Sequence, residues 1–340
     1  MAIRVGIIGL GYFSQFHLAS WAANPDVALI GATDASLERC NWAQSEYGTK
    51  IFTETAGLLS QELDVLDIVA PPKAHATLVK QALGNVRVII CQKPFCESLD
   101  EAEALTEMAK NSGTTLIIHE NFRFQPWYRT IKSLLEGGLL GEFYSARSTL
   151  RPGDGRGPDA YMARQPGFQT MEKFLIHETG VHFIDLFRWL FGDISAVYAD
   201  TKRLNPNIAG EDAGMLIFDH QSGVQTIFDG NRLSDHATDN PRRTMGEMEI
   251  EGTLGTLRLN GFGQLNFRAF GQSEWVDQPL IQPVDETAFG GGCVNALNMH
   301  VVAALNGSAP FENKAAEYLS VLKIEAAAYQ STKEARKIYV

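Results

Sequence analysis

The chain has 340 residues, 45% of them apolar and 20% charged, which is ordinary globular composition with enough length for two domains. Its formal net charge is −11, with acidic residues spread along the chain and no basic block, which speaks against nucleic acid or an anionic membrane surface as a partner. No run of about 20 apolar residues is present to span a membrane. The opening M-A-I-R-V-G-I-I-G enters a strand with no leader pattern. Cys40, Cys91, Cys96 and Cys293 form no C-x-x-C pair and no zinc spacing, so they read as thiols of a reducing, cytoplasmic compartment.

Short apolar runs at Ile3–Ile8, Val27–Ala32, Val65–Ala70, Val86–Cys91 and Thr115–Ile118 alternate with helical patterns at 14–23, 36–47, 74–83 and 98–111. Runs that are apolar throughout fit strands covered on both faces. Their alternation with helices predicts a doubly wound parallel sheet, an α/β Rossmann domain over residues 1–121. Ser98-Leu99-Asp100-Glu101 opens the last of these helices with the spacing of a capping box.

The texture changes beyond residue 121. Helical patterns at Trp127–Glu136 and 178–191 precede strand-like runs at Ala196–Arg203, Ala213–Asp219, Val224–Asp229, Gly246–Glu251, Thr256–Asn260 and Gln264–Phe270. Turn signals such as Gln221-Ser222-Gly223 separate them, and helices at 293–305 and 313–331 close the chain. Short spacings favour hairpins. Residues 122–340 are therefore predicted as an α+β domain with a mainly antiparallel sheet, serving substrate binding and self-association as a homodimer or homotetramer.

The first strand leads into Gly9-Leu10-Gly11-Tyr12-Phe13-Ser14, a G-x-G-x-x-(G/A) pattern with serine at the third glycine. Gly9 permits a tight turn and Gly11 a close approach of pyrophosphate. The N–H groups that open the next helix then face the phosphates. Asp34 ends the second strand, 25 residues after Gly9. A carboxylate there accepts hydrogen bonds from ribose hydroxyls and repels a 2′-phosphate. The nearest arginine is Arg39, so the cofactor expected is NAD rather than NADP. A glycine-rich turn without a ligand, and a strand-end aspartate that merely caps the next helix, are the plainer alternatives.

Three further stretches are Ala70-Pro71-Pro72-Lys73-Ala74-His75, Cys91-Gln92-Lys93-Pro94 and His177-Glu178-Thr179-Gly180-Val181-His182-Phe183-Ile184-Asp185. With the glycine loop, Asn121-Phe122-Arg123-Phe124 and Gly138-Leu139-Leu140-Gly141, they resemble the Gfo/Idh/MocA oxidoreductase family over nearly the whole chain. The family motif E-K-P stands here as Gln92-Lys93-Pro94. The resemblance implies that Lys93 contacts the reacting hydroxyl or carbonyl, where an ammonium steadies developing alkoxide charge. The family's D-x-G-x-H stands here as Glu178-x-Gly180-x-His182, and implies that His182 is the general base. On one helix, Glu178, His182 and Asp185 would share a face, with Asp185 orienting or charge-tuning the ring.

Pro71, His75, Gln92 and Lys93 are expected beside the cofactor together with Tyr12 and Phe13, although His75 could equally cap the helix that starts there. His119, Asn121, Arg123, Arg151, Arg164 and Glu178 are candidate substrate contacts. No metal is expected, because no histidine pair has a trustworthy acidic or cysteine partner. The resemblance implies NAD-dependent oxidation of an anomeric or secondary hydroxyl of a free sugar or polyol, such as an aldose taken to its lactone. The alternatives are an NAD-dependent glycosidase on the same fold, and a ligand-sensing regulator without turnover.

Overall fold

The computed structural model describes residues 2–340. They form two compact units: residues up to 121 together with 294–320, and 122–293 together with 321–340.

In the first unit the order is β1 (Ile3–Ile8), α1 (Ser14–Ala23), β2 (Val27–Thr33), α2 (Leu37–Tyr47), α3 (Thr55–Leu59), β3 (Val65–Ile68), α4 (Pro72–Ala82), β4 (Val88–Cys91), α5 (Leu99–Ser112) and β5 (Thr115–Ile118). The strands form one parallel sheet in the order β2-β1-β3-β4-β5. Val5, Ile7, Val65, Leu66, Ile68, Ile89 and Ile90 are fully buried, as expected of strands with helices on both faces. Each such side chain is worth roughly 1.5–3 kcal/mol of burial. The Ser98 hydroxyl accepts the Glu101 N–H at 3.2 Å, so the capping spacing in the sequence is realised at α5. The short α3 shows no period of its own in the sequence. The chain leaves β1 toward β2 on one side and β3 lies on the other, which opens a crevice at the carboxyl ends of β1 and β3.

The second unit holds α6 (Pro126–Glu136), β6 (Phe143–Leu150), a π-helical turn (Leu175–Gly180), α7 (Val181–Phe191), β7 (Ile194–Lys202), β8 (Ala213–His220), β9 (Gln225–Asn231), β10 (Met248–Gly252), β11 (Gly255–Leu259), β12 (Leu265–Ala269) and β13 (Val276–Gln278). The helices α8 (Cys293–Leu305) and α9 (Ala315–Glu334) and the strand β14 (Ile338–Tyr339) follow. The sheet has nine strands in the order β13-β12-β11-β10-β6-β9-β8-β7-β14. Its pairs are antiparallel except β6 with β9. Phe183 and Phe187 of α7 pack on Phe228 and Phe218 of the sheet, with ring centroids 4.8 and 6.0 Å apart. The sequence reading lacks β6 because its inward positions are Ala146, Ser148 and Leu150, which give no apolar alternation. β13 and β14 are too short to show one.

The stretch 294–320 groups with the first unit, whereas the sequence places all of 122–340 together. The reason is the open edge of β5. Ile117 forms an antiparallel bridge with Lys314, and the Ile118 N–H donates to the Asn313 carbonyl at 2.9 Å. On α1, the Ser20 hydroxyl donates to Asn295 and accepts from Asn298 on α8, each at 3.0 Å. Among the described residues no helix is long and apolar enough to cross a membrane.

Gly9 has φ +96°, and a Cβ there would lie 2.5 Å from the Ala70 nitrogen and 2.6 Å from the Val69 carbonyl carbon. Both obstacles are backbone at the end of β3. Gly9→Ala should therefore destabilise the chain by about 1 kcal/mol or more and lower its melting temperature. An unchanged Tm in thermal denaturation would contradict this packing.

Candidate active site

The glycine loop is built for close approach. Gly9 donates its N–H to Thr33 at 2.9 Å and so locks the end of β1 onto β2. At Gly11 a Cβ would meet nothing within 4 Å, so the backbone there faces open space. Helix α1 begins without a side-chain cap and without an acidic residue in its first turn. The Ser14 hydroxyl turns back to donate to the Gly11 carbonyl at 2.7 Å. The Ser14 and Phe16 N–H groups turn back to the Gly11 and Phe13 carbonyls at 3.1 and 3.2 Å, and no side chain caps this helix start, whose dipole favours an anion. Tyr12 and Phe13 lean edge-on against Phe16, at 6.2 and 5.2 Å between ring centroids.

Asp34 is half-buried just past β2. Its Oδ2 accepts the Leu10 N–H at 2.6 Å and its Oδ1 the Ser36 N–H at 2.7 Å. It shapes the turn into α2 and also ties the glycine loop to it, while each oxygen keeps a second acceptor direction for a ribose hydroxyl. Arg39 donates from Nε to the Leu10 carbonyl and from Nη2 to the Gly11 carbonyl at 3.3 Å, with its guanidinium 4.0 Å from the Trp42 ring centroid. The arginine nearest to Asp34 is thereby engaged by the loop itself. The open backbone at Gly11, the uncapped α1 and the Asp34 carboxylate fit a dinucleotide.

Pro71 and Pro72 start α4. His75, expected at the cofactor or as a helix cap, does something else. Its Nε2 lies 2.8 Å from the Ala70 carbonyl and its Nδ1 2.9 Å from Pro94 and 3.3 Å from Phe95. The ring is fully buried and staples the loop after β3 to the loop after β4. Burial pushes its pKa below the ordinary histidine value, against the pull of the three carbonyls. Lys93 follows β4 at the carboxyl edge of the sheet, half-buried, before a cis Lys93-Pro94 peptide. Buried Gln92 faces the rings of His17 and His119. His119 and Asn121, which follow β5, are themselves buried.

In the second unit the single helix expected at 178–191 is two. Residues 175–180 form a π-helical turn, and α7 starts only at Val181. A π turn is wound wider than an α-helix, so α-helical spacing alone does not set how Glu178 and His182 are turned. The turn is held open by Glu211. Its carboxylate accepts the N–H groups of Phe174 and Ile176, each at 3.1 Å, and its carbonyl accepts that of Leu175 at 2.9 Å. The Tyr329 hydroxyl donates to the same carboxylate at 2.7 Å and accepts the His177 N–H at 3.2 Å. Burial, reinforced by the Glu211 charge, pushes the Tyr329 phenol far above its ordinary pKa, so it remains a donor. Buried Arg232 clamps the far end through Thr179 at 3.0 Å and Asp154 at 2.7 Å, among the rings of Phe174, Tyr161 and Phe168.

His182 lies in the first turn of α7, buried, its ring stacked on Phe122 with centroids 4.0 Å apart and planes 3° from parallel. Asp185, expected to orient or charge-tune the His182 ring, has a cationic partner. It is gripped by Arg123, Nε to Oδ2 at 2.9 Å and Nη2 to Oδ1 at 2.5 Å, in a buried pair. Arg123, a candidate substrate contact, is that partner. Arg151 donates to the Asp229 carboxylate at 2.7 Å beside Arg147, and to the Asp229 carbonyl at 2.6 Å. Burial raises the pKa of Asp229, but the two guanidinium groups bring it below the ordinary range. Arg164 reaches Gln165 at 3.2 Å and Asp154 at 3.3 Å. Glu178 is half-buried on the π turn. Tyr329 and Arg232 carry no signal in the sequence. Glu211 appears there only within Gly210-Glu211-Asp212. Among the described residues no group of three or more His, Cys, Asp or Glu side chains is arranged to hold a metal ion.

Residues 3–120 match the family described as an oxidoreductase family with an NAD-binding Rossmann fold, and residues 128–258 match the GFO/IDH/MocA C-terminal domain. The chain is 31% identical over 339 residues to D-apiose dehydrogenase of Paraburkholderia graminis, covering 98% of this chain and 88% of that one. The chain belongs to the Gfo/Idh/MocA family. Inositol 2-dehydrogenase of Rhizobium meliloti is 22% identical with both chains fully covered. An oxidoreductase from Agrobacterium radiobacter, solved with NAD+, L-tartaric acid and magnesium, superposes with a TM-score of 0.90 at 27% identity, covering 100% of this chain and 98% of that one. This Gfo/Idh/MocA protein is an NAD-dependent oxidoreductase acting on CH–OH groups, with NAD as its cofactor.

Two expectations follow from the geometry. Because burial lowers the His75 pKa in the folded chain, the unfolded chain binds a proton that the native one resists once the pH falls below about 6.5. This term costs nothing above that pH and grows as the pH drops toward the native value. Urea midpoints should therefore fall more steeply between neutral and mildly acidic pH in the wild type than in His75→Gln, and parallel slopes would exclude the effect. Glu211→Ala strands the N–H groups of Phe174 and Ile176 and the Tyr329 hydroxyl. At about 1–3 kcal/mol for each buried orphan, it should lower both stability and kcat. NAD affinity should stay near wild type, because these partners all lie in the second unit. A large loss of NAD affinity in this variant would count against the assignment.

Proposed function

We propose that this enzyme oxidises a hydroxyl-bearing carbon of a free sugar, with D-apiose, taken to its lactone, as the first candidate. The observation that carries the reading is the 31% identity to D-apiose dehydrogenase along 98% of the chain. NAD+, held at the glycine loop and Asp34, would supply the hydride acceptor for this oxidation. The other half of the oxidation, loss of the hydroxyl proton, falls to the chain. His182 takes that proton as general base, its ring held face-on by Phe122. The Lys93 ammonium steadies the oxygen as negative charge builds on it. Glu178, on the π turn, contacts the sugar. Asp185, on the same helix as His182, acts as one half of a buried ion pair with Arg123. Cys40, Cys91 and Cys96 are buried thiols, which supports a reducing, cytoplasmic setting.

The test is a panel of aldoses, polyols and L-tartrate with NAD+, read as NADH absorbance. L-tartrate is included because the Agrobacterium radiobacter structure contains L-tartaric acid. Net NADH formation with D-apiose above the other sugars is expected. Glycoside cleavage without net NADH would mean a glycosidase, and sugar binding without turnover a regulator. In the active enzyme, His182→Ala and Lys93→Met should each lower kcat by about 10²–10⁴-fold with NAD affinity near wild type. The double variant should lose less than the product of the two single effects. Near-normal turnover in either folded single variant would remove that residue from the mechanism.

A further inference from the structure

A buried polar chain runs beneath the end of β4, and the proposed chemistry does not use it. Asp67 on β3 is fully buried; its Oδ2 accepts the Trp21 Nε1–H at 2.7 Å and lies 2.7 Å from Nδ1 of His17 on α1. The other nitrogen of the His17 ring, Nε2, lies 2.9 Å from Gln92 Nε2. The same Gln92 nitrogen lies 3.3 Å from Nδ1 of His119, whose ring centroid is 4.2 Å from that of His17. Gln92 Oε1 accepts the Lys93 N–H at 3.1 Å.

One atom orders the whole chain. The Lys93 N–H is a donor only, so the Gln92 atom that faces it is the oxygen. The amide nitrogen then offers its two hydrogens to the two imidazoles, and each ring must answer with a lone pair. His17 therefore carries its hydrogen on Nδ1, where Asp67 accepts it. His119 carries its hydrogen on Nε2. A flipped amide would set NH2 against the Lys93 N–H and leave a bare His17 Nδ1 against the Asp67 carboxylate.

We infer that Gln92 is a positioning residue that fixes opposite tautomers of His17 and His119 and holds the Lys93 main chain at the end of β4. The family motif has glutamate at this position. A carboxylate would still accept the Lys93 N–H but has no hydrogen for either ring. It would also add a second anion to a buried cluster that already holds Asp67, a state relieved only by taking up a proton. Glutamine leaves the cluster with one charge, met by two donors. The groups facing it are Asp67 from β3, His17 and Trp21 from α1, His119 after β5, Lys93 after β4 and the Cys91 thiol. Burial, with Cys96 and Asp67 adding to it, pushes that thiol well above its ordinary pKa.

The experiment is long-range ¹H–¹⁵N spectroscopy of the full ¹⁵N-labelled chain at neutral pH, assigned with His17→Asn and His119→Asn, together with kcat–pH profiles. In the wild type, His17 should be protonated on Nδ1 alone and His119 on Nε2 alone. In Gln92→Glu at least one ring should change tautomer or become an imidazolium, and the kcat profile should gain an ionisation that the wild type lacks. Outer partners of metal ligands are typically worth about 10–100-fold, and kcat should fall by a similar factor. Gln92→Leu should lower kcat without the added ionisation. A hydrogen on His17 Nε2 or His119 Nδ1 in the wild type would overturn the inference. So would a Gln92→Glu enzyme with wild-type spectra and profile. If Gln92→Glu fails to fold, the wild-type tautomers still decide. The kinetic arm rests on the role proposed for Lys93. The spectra do not, so failure of that role and failure of this inference are told apart.

Discussion

Five strands running the same way impose one condition on the first unit: every return from a carboxyl end begins along a single edge of the sheet. The glycine loop, Asp34, Pro71, Lys93 and His119 all follow strands there, spaced by the roughly 4.8 Å between neighbouring strands. Parallel pairing sets where these loops start but not how they are turned. Side chains supply the rest. Asp34 ties the glycine loop to the turn into α2, His75 ties Ala70 to Pro94, and Gln92 ties Lys93 to the helix α1 and to the residue after β5. The edge behaves as one object because its loops are cross-linked by buried polar groups, whose partners are costly to remove.

The second unit reaches its site residues by another route. Its sheet is a broad support whose inner face packs on α7 through phenylalanine rings. The chemistry-bearing segment is the irregular turn before that helix. Irregular helix needs outside partners for its N–H groups. Glu211 and Tyr329, far apart in the chain, provide them, and Arg232 donates to the Thr179 hydroxyl at the end of the turn. The ion pair between Arg123 and Asp185 of α7 is buried, and it is costly to break because either ion alone would be left buried.

Much of this was legible in the residues because it depends on local pattern. Continuous apolar runs mark β1 to β5, Ser98 and Glu101 mark the start of α5, and the glycine spacing marks the cofactor loop. What was not legible depends on contacts distant in sequence. Strand β6 hides because its buried side chains are small and partly polar. The π turn hides because nothing in residues 175–180 announces it; its cause lies at Glu211 and Tyr329. Asp185 was placed beside His182 by helical spacing alone, but spacing does not register that Arg123, 62 residues earlier, holds its carboxylate. Arg151 and Arg164 stand out in the sequence only as candidate substrate contacts, and their pairing with Asp229 and Asp154 depends on residues distant along the chain.

The return of residues 294–320 to the first unit bears on how the protein is made. On the ribosome the five parallel strands are complete by residue 121, yet the segment that closes the edge of β5 and covers α1 is translated about 170 residues later. At about 5–20 residues per second that is roughly 10–35 s, during which β5 presents an open edge and α1 lacks its neighbour. The nascent domain is exposed to strand-to-strand association throughout that interval. It is also the interval in which a chaperone that shields open sheet edges would act.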